Sequence, residues 1–429
     1  MCVNTNEYHL KSYFLMLKNK FIHIFNDDKF IDPTIKLLER IIPGQSVYIV
    51  ITNKNTEFKY VKSLLVEPVV LKNNRDLLVF ADRINTSENK GVFFHSLDDF
   101  KIQIADSLND AITKVWFIWG YDLYNSWGIL KKNNYTKATK QILQKESFSL
   151  KFKNLFLFNQ ITFSLYLKSL KGPLRFPSFI QKVLDNNFNT NYYRVIQKMN
   201  IVVPVLPNEY ETIKKMNVKA EYAPFTYGCI EDLLGGNLTK NVLNQQHILV
   251  GNSADPANNH IDVLKHLGKL NLGKRKVYVP LSYGGDIDYI NHIIKIGEKE
   301  LGENFVPLKT FMTIEKYNEI LLSCGTVIFN HIRQQGVGNI IIAGYLGAKI
   351  YLNKNSPAYS YYKSVGMYIF ENKSFSNNSI KVELTADEMY ENRKVLMEKY
   401  ALDAVQKKVE VLTDIVLKAS NSQVKKMNM

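Results

Sequence analysis

Cysteine is scarce: the 429-residue chain has three, Cys2, Cys229 and Cys324. They are odd in number and far apart, and no C-x-x-C pair occurs, which excludes a disulfide scaffold, a zinc knuckle and a dithiol redox centre. This usage fits a reducing cytoplasm. Long apolar runs are also lacking. The greasiest stretch, residues 155–170, is interrupted by Asn159, Gln160, Thr162, Ser164 and Lys168, whereas a membrane-spanning helix needs about 20 mostly apolar residues. The short apolar stretch at 13–17 has neither the length nor the small-residue cleavage site of a signal peptide, so no export is expected. Acids are under-represented, 40 against 55 bases, for a net charge of +15. With 46% hydrophobic residues the chain is nonetheless a globular one, long enough for two domains of roughly 150 to 220 residues each.

The positive charge is unevenly placed. Residues 131–182 hold eleven Lys or Arg and one acid, Glu146, so about +10 of the charge sits in about an eighth of the chain. Nine aromatics are interleaved with them: Tyr135, Phe148, Phe152, Phe156, Phe158, Phe163, Tyr166, Phe176 and Phe179. Such a segment suits an anionic membrane surface, with rings at the headgroup boundary, or a helical subdomain with an aromatic core and solvated lysines. Nucleic acid ranks third and is not expected as a partner, because no RNA- or DNA-binding motif accompanies the patch.

Strand and helix alternate twice over. Residues 20–25, 46–51, 77–81, 91–95 and 114–119 are short runs rich in Val, Ile and Phe that predict strands. Asp32-Pro33 predicts an N-cap and first-turn proline for a helix over 34–42. A second series follows a polar, glycine-bearing stretch: strands at 247–251, 275–281, 326–330 and 348–353, with Asp255-Pro256 repeating the capping device. Apolar strands separated by helices argue for parallel sheets covered on both faces. The expected architecture is α/β, two facing Rossmann-like doubly wound domains. The expected division is 1–228 for an N-terminal domain that contains the basic, aromatic segment 131–182, and 229–384 for a C-terminal domain. A helical segment at 385–419 and a loose tail at 420–429 follow.

In open parallel sheets ligands bind beyond the carboxyl ends of strands, and four loops there carry chemistry. In "IRQQGVGN", Gly336 and Gly338 permit close backbone approach, the following helix start offers N–H groups, and Arg333 adds a positive charge suited to a diphosphate. As a dinucleotide fingerprint it fails, since Ile341 stands where a third glycine belongs and no ribose-binding acid lies about 20 residues on. An ordinary tight turn with a surface Arg is the plainer alternative. In "GNSADPANNH", Gly251, Asn252 and Ser253 could cradle a ligand, and His260 lies one turn into the helix, although a lone helical His is usually structural. In "IWGYDLYN", Asp122 stands among Trp119, Tyr121 and Tyr124; it could accept a proton from an acceptor hydroxyl or merely cap the next helix. His95 ends a strand and is a candidate base or a hydrogen-bonded core histidine. The Asp286-Ile287-Asp288 spacing resembles a metal-holding pair, but acids are favoured at a helix start in any case, and no metal is expected.

Taken in order, these loops resemble glycosyltransferase family 56. The resemblance runs from about Ile22 to Pro357 through Ile22-His23, "FFH" at Phe93 to His95, "IWG" and "DLY" between Ile118 and Tyr124, and "ILVGNS" leading to His260. It continues through Val279-Pro280 and Tyr283, "RQQG" from Arg333 with Gly338, and Leu352, Asn353 and Pro357. It implies a metal-independent enzyme of the GT-B type with no cofactor beyond its donor substrate. The donor would be a dTDP-linked amino-deoxyhexose of the 4-acetamido-4,6-dideoxygalactose kind, and the acceptor a polyprenyl-diphosphate-linked glycan of bacterial surface polysaccharide synthesis. The enzyme would lie peripherally on the inner face of the cytoplasmic membrane. The resemblance assigns donor binding to Gly251, Asn252, Ser253, Asn258, His260, Tyr283, Arg333, Gln334, Gln335, Gly336, Gly338 and Asn339. It assigns acceptor binding to Trp119 and Tyr124, and catalysis to Arg333 with Asp122 or His95. Two departures stand out: residues 131–182 form a longer basic stretch than the family's, and "GGDID" replaces a Pro/Asn-rich loop. A GT-B-shaped nucleotide-sugar epimerase and a non-catalytic glycan-binding protein are the alternatives.

Overall fold

The computed structural model describes residues 17–52, 57–125, 134–143, 160–171, 176–180 and 190–427. The chain divides into two α/β units. In unit 1, seven parallel strands run β1 (Phe21–Phe25), β2 (Ser46–Thr52), β3 (Val66–Val70), β4 (Gly91–His95), β5 (Lys114–Ile118), β6 (Ile201–Pro204) and β7 (Glu221–Tyr222) in sequence. Their order in the sheet is β3-β2-β1-β4-β5-β6-β7, with Phe21 in register with Ser46 on one side and Gly91 on the other. Helices α1 (Ile31–Ile41), α2 (Asn74–Thr86), α3 (Asp99–Ser107) and α4 (Tyr121–Tyr124) follow strands of this sheet. In β1, β4 and β5 every residue is buried, as expected for strands covered on both faces.

Unit 2 repeats the plan. Its strands β8 (His247–Val250), β9 (Val277–Pro280), β10 (Phe305–Leu308), β11 (Cys324–Phe329), β12 (Lys349–Leu352) and β13 (Phe370–Glu371) are ordered β10-β9-β8-β11-β12-β13, again all parallel. The helices used below are α5 (Lys137–Ile142), α6 (His260–Leu267), α7 (Ile287–Leu301), α8 (Ile314–Leu321), α9 (Val337–Leu346) and α10 (Ala386–Tyr400). In both sheets the order reverses beside the first strand. That places a crevice for ligands past β1 and β4 in unit 1, and past β8 and β11 in unit 2.

Several expectations are corrected. Residues 77–81 are helical, not a strand: they lie inside α2, where Leu77, Phe80, Ala81 and Ile84 are buried while Leu78 and Val79 are exposed. That is a helical period, and the Asn73 side chain caps it by accepting from the Arg75 and Asp76 N–H groups. The strand missing from that region is β3, at the sheet edge, where Pro68 is tolerated because no neighbour needs its N–H. Asp32 does not cap α1, which begins at Ile31; its carboxylate accepts from the Lys62 and Ser63 N–H groups instead.

The division of the chain also differs from a single cut after 228. Unit 1 comprises 1–126, 164–228 and 405–429, and unit 2 comprises 127–163 and 229–404. Residues 134–143 therefore go with unit 2 rather than with an N-terminal domain. Thr136 N–H donates to Asn259 Oδ1 at 2.8 Å, and Asn259 Nδ2 donates to Asn134 O at 3.1 Å, which seats α5 beside α6. At the C-terminus, 385–419 is two helices, α10 and α11 (Leu402–Met427), broken at Ala401. The expected loose tail is helical as far as Met427. Val405, Val409, Leu412 and Val416 form a buried stripe along α11, and Gln423 bonds Thr113 Oγ1 at 2.9 Å. Nearly half of the basic, aromatic stretch 131–182 lies outside the described residues, at 131–133, 144–159, 172–175 and 181–182. None of the described helices is long and apolar enough to cross a membrane.

Candidate active site

The crevice of unit 2 is built from three loops that interlock through backbone positions only glycine can hold. Gly251, at the end of β8, has φ +70°, and a Cβ there would lie 2.7 Å from both Asn258 Oδ1 and His260 Nε2. Gly285, in the loop after β9, packs so closely that a Cβ would meet Ala254 O at 2.3 Å. Gly336 ends the loop after β11 at φ +69° and starts α9 with no side-chain cap. The first-turn N–H groups of α9 therefore have no side-chain acceptor, and a helix start in that condition attracts an anion.

Asn258 ties the loops together. Its Oδ1 accepts from the Asn252 N–H at 2.9 Å and from His331 Nε2 at 2.7 Å, so His331 is protonated on Nε2. Its Nδ2 donates to Ser253 Oγ and to the Asp255 carbonyl. Gln335 Nε2 donates to the same Ser253 hydroxyl at 3.2 Å. Tyr283 contributes its carbonyl, which accepts from the Ala254 N–H at 2.7 Å, and Asn339 Nδ2 donates to Tyr317 OH at the first turn of α9.

Against this background several polar atoms have nothing to bond. Asn252 Oδ1, His260 Nε2, Arg333 Nε, Gln334 Oε1 and Gln335 Oε1 are buried without a hydrogen-bond partner in the protein. Each such atom costs about 1–3 kcal/mol, and five from the segments after β8 and β11 mark a place where a polar ligand supplies the missing partners. Burial lowers the His260 pKa to about 3 and holds His331 well below the usual imidazole range, the nearby Arg333 adding to the second effect. Both rings are neutral and serve as oriented donors or acceptors rather than charges.

Arg333 is placed differently from a free cation awaiting a diphosphate. Its side chain is 6% exposed, Nη2 forms an ion pair with Asp255 Oδ2 at 2.9 Å, and Nη1 donates to the Gln334 carbonyl. Its charge is already matched, so the unopposed positive potential of the crevice comes from the start of α9. Asp255 caps as expected, through the Ala257 N–H, and Asp286 caps α7 through the Tyr289 N–H, which accounts for that aspartate without a metal. His331 and Asn259 escaped sequence reading. Asn259 adopts a left-handed conformation (φ 50°) and bonds Asn330 O, a role that only the folded loops reveal.

In unit 1 the residues expected to act on an acceptor are drawn inward. Asp122 is 1% exposed, and its carboxylate accepts from the Leu97 N–H (3.0 Å), Trp116 Nε1 (2.8 Å) and the Trp119 N–H (3.0 Å). It clamps the loops after β4 and β5 and is enclosed away from any acceptor, although burial pushes its pKa up to about 6. Tyr124 is likewise internal, donating to Glu209 Oε1 at 2.9 Å, and does not line a surface.

His95 is fully buried between Phe25 and Phe117. Its Nδ1 lies 2.9 Å from Tyr227 OH, and its Nε2 lies 3.0 Å from His23 Nδ1. Trp119 Nε1, which can only donate, bonds the Tyr227 oxygen. Tyr227 therefore donates its proton to His95 Nδ1, His95 donates through Nε2 to His23, and His23 carries its own proton on Nε2, which has no partner. Burial, reinforced by His23 and Lys101, keeps the His95 pKa well below the usual range. This chain orients Trp119 from beneath, and His95 belongs to the support of the crevice.

Comparison with known proteins follows the same lines. Residues 230–394, almost all of the long segment of unit 2, match the family described as 4-alpha-L-fucosyltransferase, glycosyl transferase group 56. This segment belongs to glycosyltransferase group 56. The whole chain shares its fold with sucrose-phosphate synthase from Thermosynechococcus elongatus (TM-score 0.58, 10% identity, covering 93% of this chain and 100% of that one). It is similar in the same way to a glycosyltransferase from Rickettsia africae (0.57, 12%, 94% and 99%) and to Anabaena HepE, solved with UDP and glucose (0.56, 10%, 92% and 99%). With this segment matched, the chain is a glycosyltransferase, a hexosyl-transferring enzyme, and its fold is of the GT-B type.

Proposed function

We propose that this enzyme transfers an amino-deoxyhexose from a dTDP-sugar to a polyprenyl-diphosphate-linked glycan, working from the cytoplasmic face of a bacterial membrane. The observation that carries the donor half is the set of unpartnered polar atoms around the uncapped start of α9, which offers a nucleoside diphosphate both hydrogen bonds and positive potential. The same N–H groups, fixed before the reaction, stabilise the charge that grows on the departing diphosphate. Arg333, held by Asp255, sets the shape of this loop and presents Nε–H toward the ligand. Gly251, Asn252, Ser253, Asn258, His260, Gln334, Gln335 and Gly338 complete the donor site, with Tyr283 and Asn339 at its rim. A fucosyl group, named in the matched family's description, is a 6-deoxyhexosyl group, and HepE was solved with a nucleoside diphosphate and a sugar; both agree with a sugar-nucleotide donor.

The acceptor half rests on the basic, aromatic composition of 131–182 and on the helix Gln160–Lys171, which exposes Ile161, Leu165 and Lys168, with Phe179 exposed beyond it. Apolar and cationic groups side by side suit an anionic lipid surface. Calorimetry of the full chain against dTDP-, UDP- and GDP-sugars tests the donor class, with dTDP-sugars expected to bind most tightly. Flotation with anionic liposomes at low salt tests the membrane, and a protein left at the bottom of the gradient contradicts it.

A further inference from the structure

With Asp122 and His95 enclosed, the crevice of unit 1 needs another group to accept the acceptor's proton. We propose that Asp28 is this base, at a saccharide subsite formed by Phe30 and Trp119; the inference rests on the glycosyl-transfer reading above. Asp28 lies three residues past β1, beside the point where the strand order of the sheet reverses. Its neighbours among the carboxylates are occupied. Asp27 accepts from three consecutive backbone N–H groups, Lys59 to Val61; Asp98 is paired with Lys101 and Asn26; and Asp122 has its three donors. The Asp28 carboxylate accepts from the Phe30 N–H at 3.1 Å through Oδ1, and the Lys29 N–H is its other backbone donor, so among the described residues no side chain takes up its charge. It is half-buried, so it combines access with a poorly solvated setting.

Phe30, whose backbone N–H holds Asp28, belongs to a cluster of rings. Phe30 is 43% exposed and meets Trp119 edge to face, with centroids 5.8 Å apart, and Tyr227 at 6.0 Å. Trp119 cannot swing away, because its indole N–H is held by Tyr227 and its backbone N–H by Asp122. Tyr121, 37% exposed, donates to Ser96 Oγ at 2.7 Å on the β4 side. Aromatic faces flanking a carboxylate are what a pyranose needs: stacking on its C–H face and an acceptor for its hydroxyl. Burial raises the Asp28 pKa, opposed by backbone N–H groups and by Lys29 and reinforced by Asp27, in the direction that suits a base working near neutral pH.

In the step assigned to it, the acceptor O–H bond breaks and its proton passes to the Asp28 carboxylate. The freed oxygen pair bonds to C1 of the donor sugar, and the C1–O bond to the diphosphate breaks, its pair leaving with the nucleoside diphosphate. The test uses the full chain and follows nucleoside diphosphate release from a panel of dTDP-, UDP- and GDP-sugars with water as acceptor, beside calorimetry with dTDP and UDP. Asp28→Asn keeps an oxygen for the Phe30 N–H, so the fold is retained. It is expected to lower release at least about 100-fold, to abolish the acid limb of the wild-type pH profile, and to leave nucleotide affinity within about twofold. Phe30→Ala is expected to leave nucleotide affinity unchanged while weakening binding of a soluble oligosaccharide probe. Release by Asp28→Asn within about threefold of wild type, with the acid limb intact, overturns the base assignment alone. A wild type that binds neither nucleotide, or binds and releases none from any donor, overturns the transfer reading itself.

Discussion

Arg333 Nη2 stands 2.9 Å from Asp255 Oδ2, joining the loop after β11 to the loop after β8. The pair couples fold and site, so Arg333→Ala does two things at once. It leaves Asp255, 26% exposed, without its cation and frees the Gln334 carbonyl, for an expected loss of about 1–3 kcal/mol in urea unfolding. It also lowers transfer. Arg333→Lys restores charge without the two-pronged geometry and is expected to recover less than half of the stability lost.

Gly251→Ala is expected to be more damaging than its size suggests. The position has φ +70°, and the new methyl would sit 2.7 Å from Asn258 Oδ1 and His260 Nε2, both fixed in the core of the site. Backbone strain and overpacking together predict a loss of about 2–5 kcal/mol by chemical denaturation, with donor binding lost in whatever fraction folds.

Asp122→Ala separates a clamp from a base. Removing the carboxylate leaves the N–H groups of Leu97, Trp116 and Trp119 without an acceptor, so a loss of at least about 3 kcal/mol is expected. A variant of unchanged stability with no turnover would instead mark Asp122 as the chemical base.

Acid sensitivity follows from four buried neutral histidines, His23, His95, His260 and His331. Their folded pKa values lie below the ordinary 6.5, at about 3 for His23 and His260, so the unfolded chain binds more protons than the native one below 6.5. Stability is therefore full above 6.5 and is lost as pH falls from 6.5 toward 3, with a slope of about 1.4 kcal/mol per pH unit for each histidine. Asp122, raised to about 6 from 3.8, opposes one of them between those two values. Melting curves from pH 7 to 5 should show a steep decline, and a flat profile would contradict neutral burial of these rings.

The alternation of buried strands and helices was legible because strands such as "GVFFH" and "TVIFN" are continuous apolar runs. Residues 77–81 misled because five consecutive apolar or small residues fit either period, and the exposure of Leu78 and Val79 was decided by the packing of α2. The loops that carry the donor site were legible from glycine spacing at strand ends. What could not be read is which polar side chains are already spent: Arg333 on Asp255, Asp122 on three N–H groups, and His95 on Tyr227 and His23. Apart from the bonds of Asp122 to Trp116 and Trp119, those pairings join residues 25 to 132 positions apart and depend on the sheet order. Asp28, by contrast, lies just ahead of α1 and carried no signal beyond its place after a strand.

The central claim, that the start of α9 holds the donor diphosphate, is tested most directly at Gly338. A Cβ there meets nothing within 4 Å, so Gly338→Val leaves the fold intact while placing a side chain where a phosphate would approach the backbone. Calorimetric titration of dTDP into wild type and Gly338→Val, with melting temperatures recorded beside it, should show affinity weakened at least about tenfold at a melting temperature within a few degrees of wild type. Equal dTDP affinity in the two proteins would contradict the account.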